Sequence, residues 1–180
     1  MDKPWLRALE PDDYIYTHQW RLDHVTWSAV AGVKKFVSLE TERRWLLNAI
    51  ERHEKCEVLR FVVCLGSNSE PRGLISATSI DFINSSCELS SILSPECRNI
   101  GIIQQSWLLV YHYLFAHLGL HRVGCLILFD NIASRRAHIK FGLKEEGILR
   151  QSVFKDGAYK DLISYSMLSH EFYNLHSSNL

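Results

Sequence analysis

Apolar side chains recur at Ile103, Trp107, Tyr111, Leu114 and Leu118, the spacing of a helix with one buried face. The segment feeding that helix, Ser94-Pro95-Glu96-Cys97-Arg98-Asn99-Ile100-Gly101-Ile102, is turn-rich. A helix N-terminus there would present free N–H groups and a positive dipole end, the usual seat of a phosphate. Downstream, His121 to Phe129 reads as a strand, and Asp130-Asn131 caps a short helix that ends at Phe141-Gly142. Lys144 to Phe154 and Ala158 to Leu168 form a hairpin around Asp156-Gly157, and a polar segment, His170 to Leu180, is expected as a loose or helical end. Upstream, Trp5 to Leu9 is a short strand, and Pro11 with Asp12 and Asp13 opens a helix running to about Leu22. Asp23 to Val37 shows no period and reads as irregular. Ser38 caps a second helix with Trp45, Leu46, Ala49 and Ile50 on one face. Three strands follow, Glu57 to Leu65, Gly73 to Ile83 and Cys87 to Leu93, separated by Gly66-Ser67-Asn68-Ser69 and Asn84-Ser85-Ser86.

The order β, α, α, β, β, β, α, β, α, β, β, without repeat or linker, predicts one α+β domain over residues 1–180, with a core of about 5–168 and a mixed, largely antiparallel sheet flanked by helices. A chain of this length buries roughly 70% of its unfolded surface. Twenty basic and twenty acidic residues cancel, which argues against a general nucleic-acid binder. No apolar run approaches the ~20 residues of a membrane span, and a cytoplasmic protein is expected. The five cysteines, Cys56, Cys64, Cys87, Cys97 and Cys125, lack C-x-x-C spacing, so free thiols are expected rather than a disulfide framework or a metal site.

Arg98, Gly101 and Ile103 fall on the positions of a Gln/Arg-x-x-Gly-x-Gly/Ala phosphate loop. Asn131, Ala133, Ser134, Lys140, Phe141 and Gly142 follow in order, as do Glu146 to Arg150, Asp156 to Tyr159 and Asp161, with Trp20-Arg21-x-Asp23 and Gly73 to Glu88 upstream. With these residues the chain resembles the GNAT acetyl-CoA-dependent N-acetyltransferases, in the branch that modifies ribosomal-protein N-termini, polyamines and amino sugars. The resemblance implies that the fourth and fifth strands splay apart, with the pantetheine arm of acetyl-CoA between them. It implies direct attack of a primary amine, on a small molecule or a peptide N-terminus, upon the thioester. No metal is implied, nor a nucleic-acid or membrane partner, and a homodimer is compatible with it.

On that resemblance Arg98, Asn99, Ile100, Gly101, Ile102 and Ile103 would wrap the pyrophosphate, with Ile92 and Leu93 beside the arm and Arg136 near the nucleotide end. Asn131 would hydrogen-bond the arm or cap the following helix. Glu88 would hold or deprotonate the acceptor amine. Trp20, Arg21, Asp23, Trp27, Asp81 and Tyr159 would line the acceptor end. Two positions depart from the pattern. Ile103 stands where the family has Gly or Ala, and it also belongs to the apolar stripe of its helix. His138 stands where the family has a tyrosine that protonates the departing thiolate; an imidazolium could serve, with turnover then declining as pH rises through the imidazole pKa. These departures favour an alternative, a GNAT-fold binding or regulatory module with weakened catalysis.

Overall fold

The computed structural model describes residues 2–179 apart from 33 and 99. Seven strands form one sheet: β1 (Pro4–Arg7), β2 (Leu59–Leu65), β3 (Asn68–Asp81), β4 (Ser86–Leu93), β5 (Arg122–Leu128), β6 (Lys144–Lys155) and β7 (Ala158–Leu168), ordered β1-β2-β3-β4-β5-β7-β6. Every neighbouring pair is antiparallel except β4 and β5. A parallel pair needs a long crossover, and α4 (Ile102–His112), extended by π-helical turns over Tyr113–His117, supplies it.

The helices divide between the two faces. α1 (Tyr14–Leu22) and α3 (Leu39–Glu54) cover Val62, Cys64 and Leu74 through Trp20, Leu46 and Ala49. On the other face α4 and α5 (Ile132–Phe141) enclose the larger core, in which Ile75, Leu89, Val123 and Ile163 meet Trp107, Tyr111, Leu114 and Phe141. Strand alternation produces this partition: along β2, Phe61 and Val63 join one cluster while Val62 and Cys64 join the other.

Three features differ from the expectation. The segment after Asp23 contains α2 (His24–Ala29), whose first turn is capped by Asp23 Oδ2 accepting from the Thr26 N–H at 2.7 Å. The C-terminal segment takes the helical form of the two expected, α6 (Ser169–His176), but Phe172 is fully buried against Tyr111 and Phe115, so the core reaches past Leu168. β3 begins at Asn68, with the turn confined to Gly66-Ser67.

Candidate active site

β4 and β5 share three rungs, Ser86↔Arg122, Cys87↔Val123 and Glu88↔Gly124, and then diverge. A cavity of about 890 Å³ fills the splay, lined by Leu89–Leu93 and Leu126–Leu128 from the two strands and by residues of α2, α4 and α5. A smaller pocket of about 270 Å³ lies at the paired end and is lined by Ser79, Asp81, Glu88, Arg122 and Gly124 among others. Cys125 and Leu126 line both, so the two spaces meet at the last rung, beside Glu88.

Beyond that rung the β5-facing edge of β4 has no strand partner, which leaves backbone N–H and C=O groups turned toward the cavity. Gly101 N-caps α4 at φ +77°, a conformation that disfavours any side chain, although an added Cβ would meet nothing within 4 Å. Among the described residues no side chain caps α4, which leaves its first-turn N–H groups open to a guest. An amide-bearing arm and a terminal phosphate both suit this set of donors and acceptors.

The remaining donor-side residues divide sharply. Ile92, Leu93, Arg98, Ile103 and Asn131 line the large cavity. Ile102, not Ile103, is the residue sunk in the core, at 1% exposure, while Ile103 is half-buried at the cavity wall; the apolar stripe of α4 therefore starts one position earlier than the periodicity suggested. Ile100 is exposed on the loop, Arg136 is exposed on α5 away from the cavity lining, and Asn99 lies outside the described residues. Arg98 is already engaged: its guanidinium pairs with Asp23 and donates to Thr26 Oγ1 at 2.7 Å. The Asn131 amide does two jobs, capping α5 through Oδ1 (from Ser134 N, 3.1 Å) and donating through Nδ2 to Ala29 O at 3.0 Å. Lys155, buried at the end of β6, adds a 2.6 Å hydrogen bond to Trp27 O. Helix α2 thus lies along the cavity, tied down by Arg98, Asn131 and Lys155. None of these ties was visible in the sequence.

On the acceptor side, Glu88 is exposed, and its carboxylate makes no hydrogen bond or ion pair among the described residues. Asp81 is spent on its own turn: Oδ1 accepts from Ile83 N and Asn84 N, both at 2.9 Å, and Oδ2 from Asn84 Nδ2 at 2.6 Å. These bonds hold its pKa below the usual carboxylate value. Trp20 is buried in the smaller core, Arg21 forms an ion pair with buried Glu42 (2.6 Å), and the Trp27 indole donates to Arg21 O. Tyr159 is exposed near the hairpin tip, packed edge-on against Phe154. Of the six residues expected at the acceptor end, only Asp81 lines the pocket beside Glu88.

His138 lines the cavity but is buried at 8% exposure, with its ring centroid 4.3 Å from that of Trp107. Trp107 in turn donates to Ser91 Oγ on β4 at 3.2 Å, so the two rings connect α5 to β4. Burial pushes the imidazole pKa down, only partly opposed by a bond to the backbone of Ser134. Nδ1 lies 2.8 Å from the Ser134 carbonyl, which can only accept, so the neutral ring carries its proton on Nδ1. Nε2 is then an acceptor. The imidazolium donor expected at this position is the form that the surroundings disfavour. Cys87 and Cys125 beside the junction are pushed up to about 12 by burial and remain thiols at neutral pH. Among the described residues no cluster of His, Cys, Asp or Glu could hold a metal ion.

A sheet split at one parallel pair, with the glycine-capped N-terminus of α4 at the mouth of the split, suits an extended amide-bearing ligand that ends in a phosphate. The profile of the acetyltransferase (GNAT) domain matches residues 5–144, and the chain belongs to that family. It is an N-acetyltransferase, with acetyl-CoA as its donor. Among similar proteins, the spermidine N(1)-acetyltransferase of Escherichia coli (strain K12) is 28% identical over 178 residues, covering 96% of this chain and 90% of that one. An uncharacterised N-acetyltransferase of Bacillus subtilis (strain 168) is 28% identical over 140 residues, covering 78% and 72%. The crystal structure of spermidine N-acetyltransferase from Vibrio cholerae, in complex with CoA and spermine, superposes with a TM-score of 0.86 at 25% identity, covering 96% of this chain and 99% of that one.

Proposed function

We propose that this protein transfers an acetyl group from acetyl-CoA to the primary amine of a small molecule or a peptide N-terminus by direct attack, with the donor in the splay and the acceptor in the smaller pocket. Acetyl-CoA supplies an acyl carbon activated as a thioester. The unpaired β4 edge would hold the arm, and the first turn of α4 with Gly101 and Arg98 would receive the phosphates. Glu88 carries the reading: it is the carboxylate at the junction of the two pockets with no partner among the described residues, where an ammonium would be held and its proton removed. Asp81 shapes the turn beside it. His138 serves as a neutral wall of the donor cavity rather than as a proton donor.

A cytoplasmic setting goes with this reading, supported by five cysteines that are all free. A homodimer goes with it too: β6 is an edge strand with Ile148, Leu149 and Phe154 exposed.

Two measurements test the assignment. Calorimetric titration of the native protein with coenzyme A should show saturable binding; no binding would favour the module with weakened catalysis. Glu88→Gln should then lower kcat/KM for any accepted amine by roughly 100- to 10,000-fold, the usual range for general base catalysis, while coenzyme A affinity holds. A native rate from Glu88→Gln would remove Glu88 from the mechanism.

A further inference from the structure

Two arginines flank the Trp45 indole: the Arg21 guanidinium at 5.3 Å from the ring centroid and that of Arg60 at 5.2 Å. Arg21 has a counter-ion in Glu42. Arg60 has none. Although the residue is 8% exposed, its side chain makes no hydrogen bond or ion pair among the described residues, and its NH1 is fully enclosed without an acceptor. Burial lowers its pKa, the nearby Arg52 lowers it further, and no carboxylate acts in the opposite direction. A guanidinium has five N–H donors and stays charged in proteins, so a buried one with no acceptor points to an anion supplied from outside the chain.

The register shows where that anion would lie. Arg60 pairs with Ser76 across β2–β3, and Ser76 with Ser90 across β3–β4, so all three side chains share the sheet face covered by α1 and α3. Exposure grows along this row, from buried Arg60 through half-buried Ser76 to exposed Ser90, which lines the large cavity. Neither serine hydroxyl has a partner among the described residues. Glu88 stands two residues from Ser90 on the same face of β4. From strand spacing and rise, the Arg60 and Glu88 Cα atoms lie about 12 Å apart, and both side chains can reach inward.

We infer that the acceptor carries an anionic group, a carboxylate or a phosphate, on the same molecule as its amine, and that Arg60 with Ser76 and Ser90 binds that group while Glu88 holds the ammonium. This rests on the acetyltransferase reading above and narrows it: an amine with an acidic end is taken in preference to a simple polycation. The cation–π contact with Trp45 keeps the guanidinium in place when the anion is absent.

The test uses the full chain saturated with coenzyme A, so that the donor's own phosphate site is filled; a prior coenzyme A titration reports separately on the enzyme reading. Inorganic phosphate should then bind the native protein, detected by calorimetry, and Arg60→Gln should weaken that binding on the order of tenfold or more. Ser76→Glu provides a second route that keeps Arg60: a carboxylate directly across the strand pair should neutralise it, abolish phosphate binding and raise the melting temperature. Glycylglycine against glycylglycinamide tests the carboxylate arm, and 2-aminoethyl phosphate against ethanolamine the phosphate arm. The acidic member of at least one pair should be acetylated about ten- to a hundredfold more efficiently, an advantage that both variants lose. No phosphate binding by the native protein, or equal binding by both variants, would overturn the inference. So would spermidine outcompeting every acidic amine.

Discussion

The donor cavity and the acceptor pocket meet at one rung of the sheet but treat their polar groups in opposite ways. On the donor side the backbone of the β4 edge and of the first turn of α4 is open, but the two polar side chains that would grip a cofactor are already in use. Arg98 holds Asp23 and Thr26, and Asn131 holds Ala29 while capping α5. On the acceptor side Glu88 has no partner among the described residues, and neither has the side chain of Arg60, two strands away and outside the lining of either cavity. A donor that engages Arg98 or Asn131 exchanges contacts, displacing bonds of α2, whereas an acceptor would bring contacts that the protein lacks. Affinity for the donor is then a difference between two sets of bonds, and selectivity for the acceptor rests on charges that only the right ligand can neutralise.

The largest expected effect on this comparison comes from separating the two functions of Arg98. Arg98→Met removes both the α2 tie and the cation at the phosphate loop, and it should weaken coenzyme A binding by roughly ten- to a hundredfold, the size of a charged hydrogen bond. Asp23→Asn removes the charge that holds Arg98 back. The pair is largely buried, and releasing the guanidinium toward the phosphates should let coenzyme A bind more tightly, by roughly the few-fold worth of a hydrogen bond. If Asp23→Asn weakens binding as much as Arg98→Met, the ion pair is part of the bound form and the exchange picture fails.

A smaller effect is expected at Ile103. Because Ile102 fills the core position, truncating half-buried Ile103 should leave the fold intact. Ile103→Ala should tighten coenzyme A binding a few-fold if its side chain narrows the mouth of the cavity. Unchanged affinity together with a melting point lowered by several degrees would show that Ile103 matters only for packing.

How far the sequence could carry this contrast depends on the range of the interaction. The order of the strands, the existence of α4 and the split between β4 and β5 follow from local periodicity and a family pattern and stand as expected, while the start of β3 and the buried stripe of α4 are shifted. Helix α2 spans only six residues, too few to display a helical period, though the Asp23 cap before it was a local sign. The ties that define the donor side join residues 75 and 102 positions apart, Arg98 to Asp23 and Asn131 to Ala29. No spacing rule reports such pairs. Arg60 is the extreme case: on β2 it reads as one polar residue in an apolar strand, and its meaning lies in the absence of a partner, which exists only once Ser76 and Trp45 are placed around it.

His138 is where the smallest change in rate is expected. By position it resembled a proton donor, but its ring is buried on Trp107, its pKa is lowered by burial, and its neutral form offers Nε2 only as an acceptor. An imidazolium is therefore already lost below pH 6.5, and no alkaline fall in turnover should arise from this residue between about pH 7 and 9. His138→Phe should keep kcat at pH 8 within a few-fold of native, far from the 100-fold or greater loss expected of a general acid. The same burial affects stability, with the sign fixed by linkage. In the unfolded chain the ring takes up a proton as pH falls through its ordinary value near 6.5, whereas the folded protein resists until a lower pH. The unfolded state thus binds more protons in that interval, and stability is lost on acidification. Urea midpoints measured from pH 7.5 down to 5 should fall less steeply for His138→Phe than for the native chain. His53, half-buried and lowered chiefly by desolvation, accounts for part of the remaining slope. Parallel slopes, combined with a hundredfold drop in kcat at pH 8, would return His138 to the role of acid and show that donor binding recharges the ring.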